Sequence, residues 1–153
     1  MKKQKTLDDL ARLTATVEEF CAWIESFPPR RLRPRPWGLR EVLAHLVFWH
    51  EHYTRQTGAC LAKESRRLPE GRFSDINARA VARLGASDSA ALVRRFRRTN
   101  RRLCALAAAN DPRKIVFRIK TDSHPWKLSD LIPAAEAHIR NHLRKLIKEY
   151  PGR

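Results

Sequence analysis

Apolar residues recur at helical spacing along four long stretches of this chain, and little of it alternates as a strand would. The first stretch runs from about Leu7 to Phe27, with Leu10, Leu13, Thr14, Val17, Phe20, Cys21, Ile24 and Phe27 on one stripe. Thr6 is its expected N-cap, Asp8 and Asp9 suit a first turn, and Pro28-Pro29 end it. The second runs from about Leu39 to Lys63, with Val42, Leu43, Leu46, Trp49, Tyr53, Cys60 and Leu61 inward and His45 on the border of the stripe. A short helical piece is expected around Asp75 to Arg83. Ser87 or Asp88 then caps a third long helix that reaches about Ala109, with Leu92, Phe96, Leu103 and Ala107 facing in.

The last pattern is the cleanest. From Leu128 or Ser129 to Tyr150, one stripe collects Leu128, Leu131, Ile132, Ala135, His138, Ile139, His142, Leu143, Leu146, Ile147 and Tyr150. Pro133 is placed in its first turn. Ile115 to Lys120 alternates apolar and basic residues and reads as a short strand or a loop. Four long amphipathic helices in 153 residues make this an all-α chain, a four-helix bundle forming one domain over 1–153.

His138 and His142 stand one helical turn apart on that last stripe, and an imidazole from a neighbouring helix would complete a facial set of three. His45 is the candidate third member. Neutral imidazoles are ligands for divalent transition metals, and three of them leave positions open for water or a substrate. Ligating histidines also need an acceptor for the second ring nitrogen, and Glu41, one turn before His45, is placed to serve. The competing account is that the pair simply tiles the buried side of a helix.

Trp49 and Tyr53 follow His45 along the second helix and are candidate pocket-lining residues. His50 and His52 face different directions, so one at most turns inward, and His52 is the better choice for the pocket. Glu51 lies off the His45 face, and His124 belongs to a solvated loop.

Charge adds a second theme. The chain carries 32 Lys and Arg against 16 Asp and Glu, a net charge of +16. Such a surface draws anions, from nucleic acid to small acidic molecules. Arg94, Arg98, Arg101 and Arg102 share one broad face of the third long helix and are the candidate anion-binding residues. The run lacks any helix-turn-helix, zinc-finger or RNA-binding signature, so a solvated basic face is favoured over a nucleic-acid surface. Cys21, Cys60 and Cys104 are widely spaced and odd in number, which fits reduced core residues and a cytoplasmic location. The basic start is followed by an amphipathic segment and not by the apolar core of a signal peptide, and no apolar run suits a membrane span.

Trp37-Gly-Leu-Arg-Glu-Val-Leu-Ala-His45-Leu-Val-Phe-Trp49 resembles the second helix of the DinB-like superfamily. Trp126-Lys-Leu-Ser-Asp-Leu-Ile with Ala137-His138-Ile-Arg-Asn-His142-Leu-Arg-Lys-Leu resembles its last helix. Phe73-Ser-Asp-Ile-Asn-Ala-Arg-Ala and Leu92-Val-Arg-Arg-Phe are similar to the self-protection branch of ClbS/DfsB-like proteins. The resemblance implies an up-down-down-up bundle whose long link between helices two and three crosses it. It also implies a divalent ion, nickel or zinc foremost, on His45, His138 and His142. The activities it implies are metal-assisted hydrolysis or transfer of a low-molecular-weight thiol to a small electrophilic substrate, in stress response or self-resistance. A metal-free basic module that binds nucleic acid or another polyanion is the alternative, and a homodimer through a helix face is a further expectation.

Overall fold

A computed structural model describes residues 1–33, 35–85 and 87–151. It contains five α-helices: α1 (Lys2–Glu25), α2 (Leu39–Leu61), α3 (Phe73–Leu84), α4 (Ser89–Ala109) and α5 (Leu128–Glu149). A short 3-10 turn, Pro29–Leu32, follows α1. Strands β1 (Val116–Phe117) and β2 (Trp126–Lys127) pair antiparallel, Val116 against Lys127 and Phe117 against Trp126.

Side-chain pairs set the directions of the four long helices. Thr14 meets Cys104 while Glu18 and Glu25 meet Arg97, so α1 and α4 are antiparallel. Thr16 meets Glu136 and Phe27 meets Tyr150, so α1 and α5 run together. Arg40 donates to the carbonyls of Gly85 and Ser87, and Glu51 pairs with Arg95, so α2 and α4 run together. The order is therefore up, down, down, up, with α3 carried on the long link between α2 and α4.

Packing explains the pattern of burial. Leu13, Val17 and Phe20 of α1, Leu92, Phe96 and Leu103 of α4, and Leu128, Ile132 and Ile139 of α5 meet in one apolar core. Phe20 and Phe96 touch edge to face with centroids 6.2 Å apart. Helix α2 is buried on nearly every side, because α4, α3, α5 and the β-hairpin all lie against it. His50 and His52 are therefore both buried, although they point in different directions. The expectation that at most one turns inward assumed a helix with one solvated face.

Local chemistry corrects several details. Helix α1 begins at Lys2, so Thr6 is no cap; its hydroxyl donates back to the Lys2 carbonyl. Asp8 and Asp9 consequently fall outside the first turn, where Lys5 and Arg12 pair with Asp9. Asp88 does cap α4, its carboxylate accepting from the Ala91 amide at 2.6 Å. Pro133 lies in the second turn of α5 and not the first. Thr14, Leu61 and Ile147 are exposed and Cys60 is half-buried, because each sits at the margin of its stripe.

Candidate metal centre

Helices α2 and α5 run antiparallel and bring three imidazoles together. His138 Nε2 lies 3.3 Å from His45 Nε2 and 3.1 Å from His142 Nε2. One ligand atom from each of the three falls within 4.8 Å of the others. The rings stand steeply to one another, with interplanar angles of 85°, 68° and 71°, so the nitrogens converge without the rings stacking. Nitrogens each about 2.1 Å from one ion, at angles of about 90–109°, lie about 3.0–3.4 Å apart. The separations of 3.3 and 3.1 Å fit that donor set.

Electrostatics favours neutral rings. Burial, with His138 and His142 adding to it, pushes His45 down to about 3. Burial pushes His142 to about 4, helped by His138 and Lys145. His138 is lowered by burial and then by Lys145. Neutral imidazoles keep a lone pair available for a cation, whereas three charged rings at these separations would repel one another.

The surroundings hold two orphans. His45 Nδ1 and Glu41 Oε1 are both buried without a hydrogen-bond partner among the described residues. Glu41 does not accept from His45 as expected, although it lies one turn away on α2. Trp37, half-exposed and with φ of 50°, sets its ring against His45 at 5.8 Å and forms one wall of the site. Trp49 is buried and donates its indole N–H to Asn77 of α3 at 2.6 Å. Neither Trp37 nor Asn77 stood out as a site residue in the sequence, since a loop tryptophan and a helical asparagine are ordinary features.

Other candidates lie elsewhere. His52 donates from Nε2 to the Ile119 carbonyl at 2.8 Å, and Tyr53 packs against Trp49 at 6.1 Å in the core. His50 donates to Asn100 Oδ1 at 3.0 Å between α2 and α4. His124 is exposed and rests on Trp126. Glu51 is held by both the Nε and Nη2 of Arg95.

The profile of the mycothiol maleylpyruvate isomerase N-terminal domain family matches residues 7–129. The chain belongs to that family. It is a DinB-like helical family, in keeping with the up-down-down-up bundle. The family match includes His45 and stops before His138 and His142, which the fold brings to it. Neither the curated proteins nor the solved structures contain a match to this chain. Among the described residues no helix is long and apolar enough to cross a membrane.

Proposed function

We propose that this protein holds one divalent ion, nickel or zinc, on His45, His138 and His142 and uses a low-molecular-weight thiol on a small electrophilic molecule. The convergence of three neutral Nε2 atoms carries the proposal. When bound, such an ion lowers the pKa of a thiol and polarises a carbonyl. The family name, with its mycothiol-dependent isomerase, favours thiol chemistry over hydrolysis.

The chain supplies no thiolate of its own at the site. Burial pushes Cys21 up to about 12 and raises Cys104, so neither ionises near neutral pH, and Cys60 stands fifteen residues along α2 from His45 with its thiol against the Val116 carbonyl. The reacting thiol is therefore a cosubstrate. Lys145 places positive charge beside His138 and His142, which draws an anionic thiol or substrate to the mouth. Trp37 offers a flat apolar wall against which the substrate is oriented. Three free cysteines suit a reducing cytoplasm.

Elemental analysis of protein prepared without a polyhistidine tag tests the reading. About one equivalent of a divalent ion per chain, lost in His138→Ala, is expected. Failure to retain nickel, zinc or any other divalent ion after incubation and desalting would overturn it.

A further inference from the structure

Eight of the nine residues of the basic stretch that begins at Arg94 and ends at Arg102 are polar, and the structure divides its arginines into three groups. Arg95 and Arg97 are occupied by ion pairs with Glu51, Glu18 and Glu25. Arg94 and Arg101, exposed like Arg98 and Arg102, lie outside any cleft that the other two line. Arg98 and Arg102 line a cleft of about 410 Å³ between α2 and α4, where Arg55 of α2 and Arg66 of the following link join them. None of these four guanidiniums makes a hydrogen bond or salt bridge with a described residue.

We infer that this cleft is a binding site for a small polyanion, an organic polyphosphate of nucleotide size, held by Arg55, Arg66, Arg98 and Arg102. The cleft's two carboxylates do not cancel these charges: Glu51 is taken by Arg95, which leaves Glu64 against four guanidiniums. Folding has gathered like charges from three segments into one concavity, an arrangement that costs free energy until an anion fills it. Burial, and then the charges of Arg66, Arg83 and Arg95, lower the pKa of Arg55 against the pull of Glu51. A second cavity of about 290 Å³ shares Glu51, Arg55 and Arg66 with the first and adds Arg83 and the half-buried ring of Phe48. A row of phosphates thus meets forked donors, with an aromatic face at one end for an organic group.

A small ligand fits better than a nucleic-acid strand. The four arginines are exposed but converge from three segments on one cleft, its volume lies in the usual range for small-molecule pockets of roughly 300–1,000 Å³, and Glu64 interrupts any continuous basic track. The site is distinct from the histidine centre and does not rest on its reading. Helix α2 presents Glu51, Arg55 and Gly58 on a face turned roughly 100° from His45.

Titration calorimetry with inorganic tripolyphosphate and ATP, at constant ionic strength, tests the inference. The double variant R98A/R102A should weaken binding about tenfold or more, as expected for lost charged hydrogen bonds. R94A/R101A removes the same charge from the same helix outside the cleft and should change it less than about twofold. Arg55→Gln, on the other wall, gives an independent variant, and thermal melts confirm that each folds. Equal losses in the two double variants would mean diffuse attraction and overturn the assignment. So would tripolyphosphate binding no tighter than sulfate, or a short single-stranded DNA that binds and is not displaced by tripolyphosphate.

Discussion

His45 Nε2 and His138 Nε2 lie 3.3 Å apart although 93 positions separate them in the chain. Nothing local produces that contact; it exists because α2 and α5 pass each other antiparallel, with each histidine on the inner edge of its stripe. His142 follows from His138 by helical spacing alone.

The three rings should behave as one unit toward a metal, and the buried His52 should not. Replacing His45, His138 or His142 singly by alanine removes a ligand, and each variant should retain less than a tenth of the parent's metal after desalting. His52→Ala should keep full stoichiometry, because its Nε2 is committed to the Ile119 carbonyl. Metal content of the four variants, measured side by side, decides the matter; loss in His52→Ala equal to loss in His138→Ala would refute the assignment.

Stability should fall on mild acidification because two histidines outside the metal centre are buried neutral. Burial pushes His50 and His52 down to about 4, against about 6.5 when unfolded. Between those values the unfolded chain binds more protons than the folded one, so stability rises with pH through this window and is lost as pH falls from about 6.5 toward 4. Each ring contributes about 2 kcal/mol of loss between pH 7 and pH 5. Urea denaturation across this range should show the fall, and His50→Gln should flatten it by its own share. A variant as steep as the parent would show that His50 is not buried neutral.

Much of this was readable from the sequence because the signals were periodic. The stripes on α4 and α5 gave their limits almost to the residue, and the Asp88 cap marked the start of α4. Asp8 and Asp9 misled at the other end, since acidic residues suit a first turn but serve equally well within a helix when Lys5 and Arg12 pair with them. The burial of His50 was invisible for a different reason: one helix's pattern does not say how many neighbours will cover it. The division of the arginine run depended likewise on where Glu18, Glu25 and Glu51 arrived from other helices.

The cap of α4 should carry a measurable share of stability. Asp88 accepts from the Ala91 amide at 2.6 Å and satisfies a donor that the helix itself cannot. Asp88→Ala should cost about 1 kcal/mol, and Asp88→Asn or Asp88→Ser much less, since either side chain still offers an oxygen. Denaturation midpoints at constant ionic strength separate the two cases. A serine variant as unstable as the alanine one would point to the charge of Asp88 and not to its hydrogen bond.

Phe96 links the apolar core to the buried histidine, so one substitution should change two properties together. Its ring is fully buried, touches Phe20 at 6.2 Å and stands edge to face with His50 at 5.2 Å. Phe96→Ala should cost about 3–5 kcal/mol through lost burial and a residual cavity. For a chain of this size that lowers the melting temperature by roughly 10 °C. It also removes one wall of the apolar setting that keeps His50 neutral, and water entering the space would bring the ring's pKa back toward its ordinary value. The variant should therefore be less stable at pH 7 and less sensitive to acid between pH 7 and pH 5. Arg94→Ala on the same helix, exposed and without a core contact, should change neither by more than about 0.5 kcal/mol. Loss of stability with the pH dependence unchanged would mean that the desolvation of His50 comes from α2 and Asn100 and not from the Phe96 ring.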